Sequence, residues 1–301
     1  MAGEEAPSPV QLLPADVQEV SWAPAAVLVE AVERITAVLV RDPLEVGPGL
    51  SNIKEFSIFQ NVCSADCEEL MKLARLDFRA ERAVGAMLGL AIADSVGHNF
   101  EFVPVGHRGH HFNPETLEVA GAKNKFDLKP GQWTDDTSMA LCMADSLLVQ
   151  GAYCGSDIRA RFWNWWNRGY NNAFRFDTAR SQSVGLGSNS EVALFAVHGP
   201  NPPARYEAES EDSGNGSLMR LAPLPLFYSP DEDLVVQVSR ESSRTTHPGS
   251  CAADACGFLG FVISRALARK PTDEDSAATF LDSCASCYLE RIGSEEQALL
   301  Q

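Results

Sequence analysis

Residues 82–94 read Arg82-Ala83-Val84-Gly85-Ala86-Met87-Leu88-Gly89-Leu90-Ala91-Ile92-Ala93-Asp94. Ala83, Val84, Met87, Leu88, Ala91 and Ile92 form one apolar stripe at the helical period of about 3.6 residues. Gly85, Gly89 and Ala93, four apart, predict a narrow groove where another helix can approach closely. Downstream, the same periodicity predicts helices at Ser138–Gln150, Ser156–Arg168, Ser190–Val197, Leu234–Ser243 and Cys251–Ala268. Two-residue alternation is nearly absent, which argues against an extensive sheet, and no internal repeat is visible. The loops Gly121–Gln132 and His198–Gly216 are rich in Gly, Asn, Pro and Asp. The region 79–268 therefore reads as an all-α domain. Upstream, residues 1–78 read as an extension of unassigned function. One amphipathic helix is expected at Ala25–Val40, broken by Asp42-Pro43 and Gly47-Pro48-Gly49, with a short helical connection over 50–75.

The chain carries 41 acidic against 24 basic residues, a formal charge of -17. Such a surface repels phosphate backbones, so nucleic-acid binding through a basic stripe is not expected. A phosphorylated ligand would need a divalent metal or backbone N–H groups instead. MAGEEAPSPV has neither the basic nor the apolar part of a secretory signal. No apolar run reads as approaching the ~20 residues of a membrane helix, so no membrane partner is expected. The eight cysteines are spread along a long chain, a poor fit to a disulfide scaffold, and point to a reducing cytoplasm. Cys284-x-x-Cys287 lacks a second pair at zinc spacing and reads as two thiols on a helix face.

Four segments could carry chemistry. Gly131-Gln132-Trp133-Thr134-Asp135-Asp136-Thr137-Ser138-Met139-Ala140-Leu141 puts a hydroxyl and two carboxylates at a helix start. These are oxygen ligands of the kind Mg²⁺ takes, or else a cap and first-turn acids. Asp94-Ser95-Val96-Gly97 runs into Glu101, with Gly97 as a helix stop. Glu101 is then a loop carboxylate able to act as base or ligand, or a solvated acid. Ser213-Gly214-Asn215-Gly216-Ser217-Leu218-Met219-Arg220 offers backbone N–H groups for a phosphate, or is an ordinary tight turn. His247, in Thr245-Thr246-His247-Pro248, could hydrogen-bond a ribose or phosphate, or be a satisfied structural histidine. Trp163, Trp165 and Trp166 read as packing residues.

Taken in order, these segments resemble the motifs of the ADP-ribosylglycohydrolase family, of the dinitrogenase-reductase-activating glycohydrolase type. Its pattern runs Gly-x-x-x-Gly-x-Ala-x-Gly-Asp-x-x-Gly with a following Glu, then Trp/Tyr-Thr-Asp-Asp-Thr, Gly-Asn-Gly-Ser-x-Met-Arg and Thr-His. Residues 156–197, with Ser183-Val184-Gly185-Leu186-Gly187, are also similar to the family's middle stretch. The resemblance implies a compact orthogonal multi-helix bundle holding two Mg²⁺ ions (Mn²⁺ as the alternative). The implied reaction is hydrolysis of the glycosidic bond from ADP-ribose to a protein side chain or small acceptor, making an ADP-ribosylated protein or ADP-ribose derivative the partner. By position, Thr134, Asp135 and Asp136 would be metal ligands, and Glu101 a ligand or the base. Ser213, Gly214, Asn215, Gly216 and Ser217 would cradle the diphosphate and ribose beside His247, and Asp94 would buttress its own helix.

Two departures stand out. Ala93-Asp94 replaces the family's Gly-Asp, and the family's late Asp-x-Asp-Thr motif is not found. Asp231-Glu232-Asp233 and Thr272-Asp273-Glu274-Asp275 have the wrong neighbours for it and read as helix N-terminal acids. The domain over 79–301 is therefore expected to be C-terminally incomplete. A non-catalytic member that binds ADP-ribose or serves structurally is the alternative.

Overall fold

The computed structural model describes residues 64–101, 111–116, 118–120, 125–174, 180, 182–199, 201–209 and 211–299. The helix expected at Ala25–Val40 lies outside the described residues. In chain order the described helices are α1 (Ser64–Ala74), α2 (Phe78–Gly97), α3 (Asp135–Gln150), α4 (Gly155–Arg168) and α5 (Ser188–Phe195). They continue with α6 (Pro223–Tyr228), α7 (Glu232–Ser243), α8 (Ser250–Ala268) and α9 (Ala277–Leu299). The sheet content of the described residues is one hairpin, β1 (His111–Asn113) antiparallel to β2 (Glu118–Ala120), with Phe112 opposite Val119. The fold is all-α, as the periodicity predicts.

The main core is built where α3 and α4 face each other and α6, α7 and α8 close over them. Met139, Cys142, Met143 and Leu147 of α3 meet Ile158, Phe162 and Trp165 of α4, with Leu224, Val235, Val238 and Cys256 completing the cluster. Burying side chains of this size contributes about 1.5–3 kcal/mol each, which outweighs the weak intrinsic preference of any one helix. Trp165 is fully buried here and Trp166 packs partly against it, as packing residues. A smaller cluster joins α7, α8 and α9 through Val236, Phe261, Cys284 and Tyr288, with Cys287 at its edge. Cys284 and Cys287 are thus unpaired thiols on the packed face of α9.

Two readings change. Close helix approach occurs on α8, where a Cβ at Gly257 would meet Tyr288 Oη at 2.6 Å and one at Gly260 would collide with Ser239 Oγ of α7. At Gly85 and Gly89 of α2 an added Cβ would meet no described atom within 4 Å, and Leu88 and Ile92 beside them are exposed. Small residues permit a close approach without compelling one. In addition, α8, at 19 residues, is long and apolar enough to cross a membrane by length and composition alone. It serves as a core helix, packed against α2, α6, α7 and α9.

Candidate active site

The site begins at Asp94, a buried carboxylate in the last turn of α2. One oxygen accepts from the Thr134 N–H at 2.9 Å and the Thr134 hydroxyl at 2.8 Å. The other accepts from the Thr137 N–H at 3.0 Å and the Thr137 hydroxyl at 2.7 Å. Asp94 therefore braces the start of α3, across the helix pair, and not its own helix. It takes over the orphan N–H groups of that helix end and sits at the positive end of its dipole. Thr134, at the N-cap, makes no side-chain capping bond. The acids at 135 and 136 are thereby freed from capping, and α3 starts at Asp135, three residues earlier than periodicity alone predicts.

Glu101 follows α2 directly and comes over the start of α3. Carboxylate oxygens of Glu101, Asp135 and Asp136 all lie within 4.8 Å of one another. Burial, followed by repulsion from Asp136 and Asp94, pushes Glu101 up to about 7. Burial and Asp94 push Asp136 up to about 6, and burial with Asp136 drives Asp135 well above the usual carboxylate range. Each shift reflects burial away from water first and the neighbouring carboxylates second. An all-oxygen cluster of this kind fits a hard cation such as Mg²⁺, with water filling the remaining positions. Gly185, at φ +94°, lets the 183–187 loop close over this point. A Cβ there would collide with Asp135 Oδ1 and meet Thr134 Cβ at 2.9 Å.

The cluster opens on a cleft of about 590 Å³ whose lining includes Asp94, His98, Glu101, Asp136 and Asn215. Leu218, Met219, Leu259 and Ile263 form its apolar wall. His98 was not singled out by sequence. It is 3% exposed and lines the cleft, its two ring nitrogens have no hydrogen-bond partner among the described residues, and burial lowers its pKa. A lone His after a helix-ending Gly carries no sequence signal of this; only its burial reveals it.

The Gly-rich turn divides. Asn215 reaches the cleft. Gly214 and Gly216 pack on His247: Cβ atoms there would lie 3.4 Å and 3.1 Å from His247 Nε2. Ser213 Oγ accepts from the Ala252 N–H at 3.2 Å, at the start of α8. Ser217 faces the core, where its hydroxyl accepts from Ser243 at 2.8 Å. His247 is 2% exposed, with Nδ1 2.8 Å from Thr246 Oγ1. Burial and the Arg220 charge lower its pKa to about 4, so it is neutral at ordinary pH.

The other acids are accounted for elsewhere. Asp231 caps α7 through the Leu234 N–H at 2.9 Å, as expected of a helix N-terminal acid. Asp273 and Asp275 are not first-turn acids. They hold the α8–α9 turn, accepting from the Lys270 N–H at 2.8 Å and from Arg269 at 2.7 Å.

A family model for ADP-ribosylglycohydrolase matches residues 75–299. The chain belongs to the ADP-ribosylglycohydrolase family. An ADP-ribosylarginine hydrolase of Serratia proteamaculans is 31% identical over 61% of this chain and 47% of its own length. The ADP-ribosyl-dinitrogen reductase glycohydrolase of Rhodospirillum rubrum is 30% identical over 61% of this chain and 57% of its own. A solved structure described as an ADP-ribosylglycohydrolase-related protein complex is 34% identical, with a TM-score of 0.48, covering 64% of this chain and 58% of that one. The chain spans about half the length of the curated relatives it matches.

Proposed function

We propose that this chain contributes to Mg²⁺-dependent hydrolysis of the glycosidic bond joining ADP-ribose to a protein side chain, with arginine as the favoured acceptor. The observation that carries this reading is the convergence of Glu101, Asp135 and Asp136 within 4.8 Å, with Glu101 and Asp136 lining a cleft that Asn215 of the Gly-rich turn also lines. Asp135 and Asp136 would hold the cation, with Thr134 beside them. When bound, it would polarise the ribose hydroxyls and lower the pKa of water. The N–H groups of the 214–217 turn would take the diphosphate charge that a strongly acidic protein otherwise repels. Glu101 would accept a proton from water as the water oxygen bonds to C1″, while the bond to the acceptor breaks through an oxocarbenium-like state and the released side-chain nitrogen takes up a proton from solvent. The arginine preference rests on the names of two relatives. The cytosol is the proposed compartment, since the seven described cysteines are all free.

One observation favours the alternative, a binder of ADP-ribose without turnover. Glu101 and Asp136 of the cluster line the cleft beside a largely apolar set that includes Leu218, Met219, Leu259 and Ile263. The test incubates the chain with an ADP-ribosylated arginine substrate and follows free ADP-ribose, with Mg²⁺ and with EDTA. Mg²⁺-dependent release is expected. Binding of ADP-ribose and Mg²⁺ without release would select the non-catalytic reading. Ligand at 100 times Kd should stabilise the fold by ~2.7 kcal/mol. No melting shift at millimolar ligand and metal, in a folded protein, would exclude both.

A further inference from the structure

Arg220 is buried at the centre of the fold, 1% exposed, and no carboxylate oxygen is among its hydrogen-bond partners. Its guanidinium lies over the Phe162 ring, 4.5 Å from the centroid, with Met139 Sδ 3.7 Å from Nη1. Nη2 donates to two adjacent hydroxyls, Thr245 at 3.0 Å and Thr246 at 2.6 Å. A guanidinium only donates, so both hydroxyl oxygens act as acceptors and each keeps one hydrogen to place. Thr245 passes its hydrogen to the Ser242 carbonyl at 2.7 Å. Thr246 Oγ1 lies 2.8 Å from Nδ1 of His247. Thr246 is fully buried, and leaving that hydrogen unpaired would cost about 1–3 kcal/mol. Nδ1 must then accept, and the neutral ring carries its proton on Nε2, the nitrogen that faces Gly214 and Gly216.

We propose that Arg220 is a positioning residue that acts through the Thr246 hydroxyl to fix His247 as the Nε2–H tautomer, aiming that N–H at the Gly214–Gly216 turn and the anion it holds. The inference rests on the reading of that turn as a diphosphate cradle. It gives a physical role to Arg220, which closes the Gly-Asn-Gly segment in sequence and reaches His247 only through the fold. The Arg220 charge also opposes protonation of the ring, so the donor stays a neutral one of defined direction.

The test measures ring ¹⁵N shifts of His247 in the ligand-free chain at neutral pH, assigned by His247→Gln, and ADP-ribose affinity in parallel. A pyrrole-type Nε2 and a pyridine-type Nδ1 are expected. Thr246→Val should mix the tautomers and weaken ADP-ribose binding on the order of tenfold. Thr246→Ser, which restores the hydroxyl, should recover both, a rescue that loss of packing alone does not predict. A protonated Nδ1 in the parent chain, or an unchanged pattern in Thr246→Val, would overturn the relay. The expected tautomer in a chain that binds no ADP-ribose would instead overturn the diphosphate reading and leave the relay supported.

Discussion

Helix α3 carries two buried acidic regions that are handled in opposite ways. Near its middle, Asp145 is fully buried and satisfied: Tyr170 donates to it, and Asn171 Nδ2 donates at 2.7 Å. The Tyr170 hydroxyl accepts from Arg161 at 2.9 Å, and Arg161 pairs with Asp157 at 2.6 Å. At its start, Asp135 and Asp136 face Glu101, and all three titrate upward. Where a buried charge serves the fold, this protein supplies a partner. At the start of α3 the three carboxylates have one another as neighbours instead, and burial together with that repulsion raises their pKa values.

The comparison breaks most sharply at Glu101. Glu101→Gln keeps the volume and removes the proposed base, so release of ADP-ribose should fall by on the order of 10²–10⁴. The melting temperature should hold or rise, because an uncompensated charge is gone. A parallel loss of stability and rate would mean that Glu101 belongs with the structural acids. In the paired region the signs reverse: Arg161→Met strands buried acceptors and should destabilise by about 3–5 kcal/mol in urea unfolding. A cost near zero would erase the distinction between the two regions.

Gly185→Ala sharpens it more gently. The positive φ and the collision with Asp135 should cost about 1–3 kcal/mol and weaken Mg²⁺ binding, whereas a change confined to stability would detach the 183–187 loop from the site. Asp136→Asn should weaken the Mg²⁺ titration while preserving helicity, since Asp94 and not Asp136 holds the start of α3. An unchanged titration would return Asp136 to a purely helical role.

The smallest effect is on pH dependence. Glu101 and Asp136 have folded values of about 7 and about 6, above their ordinary 4.5 and 3.8. Between those limits the folded chain holds more protons than the unfolded one. Their contribution to stability is therefore complete below about 4 and is lost as pH rises through about 7. In EDTA the unfolding midpoint should slide down over that window, and Mg²⁺ should flatten the slope by favouring the ionised acids. A midpoint rising over the window in EDTA would contradict the raised values.

Helix periodicity located α3, α4, α5, α7 and α8 to within about three residues, because an amphipathic face must be buried whatever it packs against. The 277–299 helix was not singled out, since Ala277-Ala278-Thr279 and the Ser- and Glu-containing remainder mix apolar and polar residues without a strong face. The hairpin at 111–120 was too short to show alternation. At the site, Glu101, Thr134, Asp135, Asp136 and Asn215 are legible through the family resemblance of their segments taken in order, since each segment alone reads equally as a cap, a loop acid or a turn. Ser217 is legible as a residue but not as an orientation: two positions after Asn215, which lines the cleft, its hydroxyl turns into the core.

From residue identity alone come the all-α architecture, the acidic motif and its suitability for a hard cation, because period and ligand chemistry are properties of the chain itself. Tertiary structure decided that Asp94 caps α3 rather than serving its own helix, that Gly257 and Gly260 rather than Gly85 and Gly89 mark close approach, and that His98 is buried at the cleft and Arg220 against Thr245 and Thr246. Each of these depends on which residues 20 or more positions apart are brought within a few ångströms. Desolvation and hydrogen-bond pairing act over those distances, and no local pattern encodes them.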